Sequence, residues 1–282
     1  MCLFSKDMRT VSHFRTEATE KLSQYYDERE VANVIVLWFA SRLGLNRTEL
    51  VLKANDEIPF TTFHSDLKRL IDQEPIQHIL GKSYFFDLEL VVNQHTLVPR
   101  PETEELVEHV LRGMPKYPIH ILDVGTGSGA IALALKSKRQ DCEITAIDSS
   151  EEALEVAKAN AIHHSLDVSF MQMDALRHAL PEVDLIVSNP PYIPEMERRH
   201  MERNVLEYEP AKALFVPDHD PLVFYKKIAE QAKSVAFEIH HDKGPEMRAM
   251  LVNFGYVDLH LFQDLQGRDR IITAHHESRR SY

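Results

Sequence analysis

Ile119-His120-Ile121-Leu122-Asp123-Val124-Gly125-Thr126-Gly127-Ser128-Gly129-Ala130-Ile131-Ala132-Leu133-Ala134-Leu135 is the stretch that decides the fold. Its opening residues are mostly apolar with one acid near the end, a strand pattern. Its closing residues are small and aliphatic with no helix breaker, a helix pattern. The three alternating glycines between them permit positive φ and close backbone approach, and the helix that follows offers N–H groups without intrahelical partners. Dinucleotide enzymes use a similar device, but with the spacing G-x-G-x-x-G. Here the spacing is G-x-G-x-G, with Asp123 just ahead of it.

Outward from this unit the chain alternates strand and helix, which predicts an α/β domain with a mostly parallel sheet covered on both faces. Strands are predicted at 119–124, 143–147, 168–173, 183–187 and 234–239, and helices at 103–113, 129–138, 151–164, 221–233 and 244–254. Residues 256–262 and 270–274 read as two closing strands around Gly267. Upstream, helices are expected near 8–25, 31–43, 47–54 and 61–72, with Trp38 and Phe39 as core of a small bundle rather than a partner face. A strand pair near 84–98 links the two parts, and 194–220 is a long irregular segment of the kind that forms lids or substrate loops.

Chemistry collects at the predicted strand ends. The strand at 143–147 runs into Asp148, which suits a cofactor ribose; with Ser149, Ser150 and Glu151 behind it, a helix N-cap is the other reading. The strand at 168–173 runs into Asp174 and Ala175, where the acid can accept from an adenine amino group or cap a helix. The strand at 183–187 leads into Asn189-Pro190-Pro191-Tyr192. The two prolines stiffen that loop and aim its carbonyls outward. The Asn189 side-chain oxygen and the Pro190 carbonyl can each accept one hydrogen of a planar substrate NH2 while the Tyr192 ring covers a face. An ordinary Pro-rich turn is the plainer reading, but three acids at successive strand ends are hard to dismiss together.

This constellation resembles class I S-adenosylmethionine-dependent methyltransferases, and within them the amino-methylating group with an Asn-Pro-Pro-Tyr loop. Glu74-Pro75-Ile76-Gln77-His78-Ile79-Leu80-Gly81 with Tyr84-Phe85-Phe86, and Val98-Pro99-Arg100-Pro101-Glu102-Thr103-Glu104-Glu105, are similar to the entry into the catalytic domain of the release factor glutamine methyltransferases, the HemK type. The resemblance implies a Rossmann-like seven-stranded sheet with a C-terminal antiparallel hairpin, preceded by a small α-helical domain. It implies a helical substrate-recognition domain at 1–82, a linking strand pair at 83–100 and a catalytic domain at 101–282. S-adenosyl-L-methionine is then the cofactor. Its site residues are Gly125, Thr126, Gly127, Ser128, Gly129, Asp148, Asp174, Ala175 and Asn189, with Arg100 and Thr103 expected near the methionine end. Asn189, Pro190, Pro191 and Tyr192 hold the substrate, the amide of the glutamine in a release factor Gly-Gly-Gln segment.

Two local departures stand out. Val216-Pro217-Asp218-His219-Asp220 replaces a glycine-rich turn, and Ile239-His240-His241 follows Phe237-Glu238 where the family usually has a glycine. Both put loop geometry in question. His240 and His241 lack an accompanying cysteine or acid cluster with ligand spacing, so no metal is expected.

The whole chain, 282 residues and 44% hydrophobic, is long enough for two domains. Its net charge of −12 lowers the expectation of direct nucleic-acid binding. Arg198, Arg199, His200 and Arg203, interleaved with Glu195, Glu197 and Glu202, read as a self-paired face. Two cysteines are too few for a disulfide framework, and no apolar run is long enough for a bilayer, so a cytoplasmic enzyme is expected. The rival functions are methylation of an exocyclic amine in RNA or DNA, and a non-catalytic cofactor-binding assembly partner.

Overall fold

The structure, a computed structural model, describes residues 8–277, so Cys2 lies outside the described residues. Cys142 is a buried free thiol. The chain divides into two units, Met1–Gly81 with Arg203–Tyr208, and Lys82–Glu202 with Glu209–Tyr282. Among the described residues no helix is long and apolar enough to cross a membrane.

The first unit is helical, with main helices Val11–Leu22, Glu28–Leu43 and Phe63–Ile71. Local chemistry sets their ends. The Asp27 side chain accepts from Glu30 N, and Gly44 takes a left-handed φ of 68° to stop the second helix. The first helix starts at residue 11 rather than 8, because Thr10 caps it and Met8–Thr10 pairs antiparallel with Glu57–Pro59. Trp38 and Phe39 are fully buried, and the Trp38 ring stacks on Phe63 at 5.1 Å between centroids. They are core, as their bundle context predicts. Buried Asp66 accepts from Trp38 Nε1 at 3.0 Å and Arg42 Nε at 2.8 Å, so its charge is paired inside that core.

The second unit carries a seven-stranded sheet, its strands numbered here in chain order. They are β1 His120–Val124, β2 Glu143–Asp148, β3 Ser169–Gln172, β4 Leu185–Ser188, β5 Ser234–Glu238, β6 Tyr256–Gln263 and β7 Asp269–His276. The spatial order is β6-β7-β5-β4-β1-β2-β3, and only β7 runs against its neighbours. The expected α/β class and closing hairpin are therefore present. One core cluster holds Leu106, Val110, Ile121 and Leu133; another holds Leu122, Ile186, Phe237 and Leu251. Successive residues of β1, Ile121 and Leu122, thus enter opposite clusters, the two-sided burial that makes its apolar run continuous.

The linking strand pair is shorter than expected. Lys82–Phe85 pairs with Leu88–Val91 through a turn whose Phe86 and Asp87 both have positive φ, as a tight hairpin requires. Beyond it the chain turns at Asn93, whose side chain accepts from His95 N at 2.9 Å. Fully buried Asn160 ties this hairpin to the glycine loop. It accepts from Val91 N at 2.7 Å and donates to Val91 O at 3.0 Å and Ser128 O at 2.9 Å. Asn160→Ala removes the side-chain partner of three backbone groups, of which Ser128 O lies in a buried bond, and lowers unfolding free energy by about 2 kcal/mol. Urea melts check this; an unchanged midpoint would show the tie to be dispensable.

Candidate active site

The sheet order reverses direction between β1 and β4, and open α/β sheets bind ligands outside the carboxyl edge at such a point. Register places Val124 beside Ile147 and Ser188, and Asp148 beside Gln172, so the loops after β1, β2, β3 and β4 leave from one edge. Fully buried Ser188 donates to Val124 O at 2.6 Å, binding the last turn of β4 to β1.

Gly125, Gly127 and Gly129 have φ of 76°, 56° and 85°. Gly125 N donates to Ile147 O at 2.9 Å, which folds the loop over β2. A Cβ on Gly129 would sit 3.1 Å from Leu133 Cδ1 and 3.3 Å from Ala157 Cβ, so this glycine serves helix packing. A Cβ on Gly125 or Gly127 meets nothing within 4 Å, so open space lies over that part of the loop. Under the loop, Asp123 Oδ2 accepts from Thr126 Oγ1 at 2.6 Å and Ala132 N at 3.2 Å. Burial pushes the Asp123 carboxyl up to about 7, with those bonds and the nearby Asp148 as smaller influences.

Asp148 is not the helix cap. Ser150 takes that place, its side chain accepting from Ala153 N at 3.1 Å. Asp148 Oδ2 instead accepts from Gly127 N and Oδ1 from Ser150 N, both at 2.9 Å, and burial raises its carboxyl above the ordinary range. Each oxygen keeps a further lone pair for a ligand hydroxyl. Asp174 Oδ1 accepts from Leu176 N at 2.9 Å and Oδ2 pairs with Arg177 at 3.2 Å, so the turn-capping reading is partly realised there. Ala175 is buried behind it.

After β4, Asn189 Nδ2 donates to Thr103 Oγ1 at 3.1 Å, and Thr103 Oγ1 donates to Glu238 Oε2 at 2.6 Å. Tyr192 OH reaches Glu238 Oε1 at 3.4 Å, and burial raises the Tyr192 hydroxyl pKa. Glu238, at the end of β5, is only 2% exposed, and burial pushes its carboxyl up to about 7 against the opposing pull of Thr103 and Arg270. Pro190 is buried and Pro191 half-buried.

Residues 103–211 match the family described as the methyltransferase small domain, and residues 13–81 match the PrmC N-terminal domain. A release factor glutamine methyltransferase of Flavobacterium psychrophilum is 38% identical over 278 residues, covering 93% of this chain and 98% of the relative. The chain belongs to the release factor glutamine methyltransferases. Relatives of the same name from Bacteroides thetaiotaomicron and Enterococcus faecalis are 36% and 37% identical over 90% and 84% of this chain, covering 96% and 89% of their own lengths.

For this release factor glutamine methyltransferase, two loops are expected to depart from the glycine-bearing turns of the family, and the backbone shows how each is held. No residue of 216–220 or 239–243 has positive φ, so neither loop needs glycine here. The first is held by parallel pairing of Phe215–Val216 with Ile193–Pro194 and by Asp218 Oδ1 accepting from Met196 N at 2.8 Å. In the second, His240 packs edge-on to Tyr192 at 5.9 Å, and ligand atoms of His240, His241 and Asp242 lie within 4.8 Å of one another. The acid absent from the two-histidine reading is thus the next residue, though Asp242 and His241 are exposed.

Arg100 and Thr103, expected near the methionine end, each have a protein partner. Thr103 holds Asn189 and Glu238, and Arg100 Nη2 pairs with Glu209 Oε2 at 2.6 Å. Glu209 anchors the 194–220 segment, which is not structureless: it holds a 3-10 turn Glu195–His200, the helix Arg203–Tyr208 and a second 3-10 turn Ala211–Ala213. Arg198 pairs with Glu195 at 3.6 Å as their spacing suggests, whereas Arg203 pairs with Glu207 at 2.8 Å, an acid outside the expected set. Asn160 and Glu209 carry no local motif that marks them in the sequence, and the Phe237-Glu238 pair is recognisable there without showing what Glu238 holds.

Proposed function

We propose that this chain transfers a methyl group from S-adenosyl-L-methionine to the side-chain amide nitrogen (N5) of the glutamine in the Gly-Gly-Gln segment of peptide chain release factors. The observation that carries this is an Asn-Pro-Pro-Tyr loop at the sheet's carboxyl edge in a chain collinear with release factor glutamine methyltransferases over 98% of a relative's length. The residues fit the cofactor. Gly125 and Gly127 leave open space where a side chain would intrude, and Asp148 offers two lone pairs for ribose hydroxyls. Asp174 and Ala175 border the adenine in this scheme. When bound, the cofactor supplies a methyl group on a positively charged sulfur.

The protein's task is orientation. An amide nitrogen is a weak nucleophile because its lone pair is delocalised into the carbonyl. The Asn189 side-chain oxygen and the Pro190 carbonyl accept the two N–H hydrogens, which fixes the plane of the amide and raises electron density on nitrogen. Tyr192 covers one face and Pro191 keeps the loop stiff. Such positioning is worth up to about 7–11 kcal/mol of barrier. One N–H proton is lost, to solvent, late, once methyl transfer has made the nitrogen acidic, so no strong base is required. The helical domain at 1–82 serves substrate recognition in this scheme.

The test is mass spectrometry of release factor incubated with the protein and cofactor: one added methyl on the Gly-Gly-Gln glutamine is expected. Modification of tRNA, rRNA or DNA instead would move the assignment to a nucleobase amine, and cofactor binding with no turnover would make the chain a non-catalytic partner. The cradle has its own test. Gly127→Ala places a methyl in the open space over the loop and lowers cofactor affinity about tenfold or more. Its stability falls by only about 1–2 kcal/mol, the cost of a left-handed alanine. Calorimetry and urea melts separate the two; equal affinity would remove the loop from the cofactor site.

A further inference from the structure

We propose that Thr103 and Glu238 are positioning residues that fix which end of the Asn189 amide faces the substrate, and thereby make the site select an NH2 group over a carboxylate. The inference rests on the proposed methyl transfer and adds the origin of its selectivity.

A threonine hydroxyl has one proton to give. Thr103 Oγ1 lies 2.6 Å from Glu238 Oε2, a short contact with a group that accepts, so the proton is committed there. What Thr103 offers Asn189 is then a lone pair, and Asn189 Nδ2 donates to it at 3.1 Å. Rotating the amide by half a turn would set Oδ1 against Thr103 Oγ1, two acceptors facing each other with no proton between them. The amide is therefore held with Nδ2 inward and Oδ1 outward. An outward oxygen welcomes a donor and repels a carboxylate, which is the chemical difference between glutamine and glutamate.

The anchor is itself fixed. Glu238 ends β5, its backbone oxygen accepts from Tyr225 OH at 2.8 Å, and Thr103 is buried near the start of the helix Pro101–Gly113. Tyr192 OH approaches the other carboxylate oxygen at 3.4 Å, so both side chains that the loop turns to the substrate refer to one buried group. With a proton on Oε1, the oxygen facing Tyr192, Oε2 still accepts from Thr103. Neither residue contributes an atom to the reaction. They act through Asn189.

Thr103→Val keeps the branched shape and removes the hydroxyl, while Thr103→Ser keeps the hydroxyl. The expected results for Thr103→Val are a fall of about tenfold or more in kcat on release factor, and cofactor affinity within about twofold. Its preference for release factor over a variant with glutamate at the Gly-Gly-Gln glutamine, read as binding constants, should shrink about tenfold. Thr103→Ser should stay near wild type in all three. A second measurement needs no turnover. The Asn189 side-chain amide protons, assigned by their loss in Asn189→Ala, should exchange slowly with solvent in wild type and Thr103→Ser and rapidly in Thr103→Val. Slow exchange in Thr103→Val, an unchanged glutamine-to-glutamate preference, or a Thr103→Ser variant as impaired as Thr103→Val would each overturn the inference. A wild-type protein that leaves release factor unmethylated would instead overturn the proposed substrate, and the exchange measurement would still decide the role of Thr103.

Discussion

Asn189→Ala lowers kcat on release factor by about 100-fold or more, with cofactor affinity changed far less. The loss has two sources. The variant deletes one acceptor of the substrate NH2, leaving a desolvated donor without a partner at a cost of about 1–3 kcal/mol. It also frees the substrate amide to rotate about the bond left to the Pro190 carbonyl, which forfeits part of the alignment on which the rate depends. Because Asn189 also ties β4 to Thr103 through its Nδ2, a modest fall in stability accompanies the kinetic loss. Single-turnover rates at saturating cofactor, with calorimetric cofactor titration alongside, separate these effects. Full turnover in the variant would sink the assigned role, and a parallel collapse of cofactor affinity would move Asn189 from the substrate to the cofactor.

Much of this site is legible in the sequence because its parts are local. The glycine loop follows β1 directly, Asp148 ends β2, and Asn189-Pro190-Pro191-Tyr192 follows β4, so strand periodicity alone brings them to one edge. The same locality fails for the groups that set orientation. Glu238 reads as the end of a strand, and its partner Thr103 lies 135 positions away. Asn160 sits in a helix with nothing to mark it, yet it binds Val91 at a separation of 69 and Ser128 at 32. Its importance comes from three backbone groups that only the folded hairpin and loop bring together. Strand pairing explains the shorter misreadings too. Met8–Thr10 has helical neighbours in sequence but an antiparallel partner at Glu57–Pro59. The helix Arg203–Tyr208 belongs to the unit formed by the N-terminal residues although it is embedded in the sequence of the other, a grouping no local pattern encodes.

Two buried carboxyls hold protons in the native state that the unfolded chain gives up, so their contribution to stability should fall as pH rises from about 4.5 to about 7 and then level off. His240 and His109, whose pKa burial lowers, oppose that fall. Burial drives Asp123 from 3.8 up to about 7 and Glu238 from 4.5 up to about 7. Between the ordinary and the native values the folded protein binds more protons, so its stability declines with pH; above about 7 both states are ionised and the slope from these groups vanishes. Each group is worth on the order of 3 kcal/mol across that window, at about 1.4 kcal/mol for each unit of displacement. Asp148, also raised by burial, acts in the same direction. Acids stabilised by ion pairs, such as Glu89 beside Lys82, have the opposite sign, but they lie near the surface and contribute little. Asp123→Asn and Glu238→Gln remove one titration each, so each should flatten the decline whatever offset it adds from altered hydrogen bonding. Urea melts at pH 5, 6, 7 and 8 give the slopes directly. An Asp123→Asn variant with the wild-type slope would mean that Asp123 is ionised throughout, its charge held by Thr126 and the start of the helix Ala130–Lys138 rather than suppressed by burial.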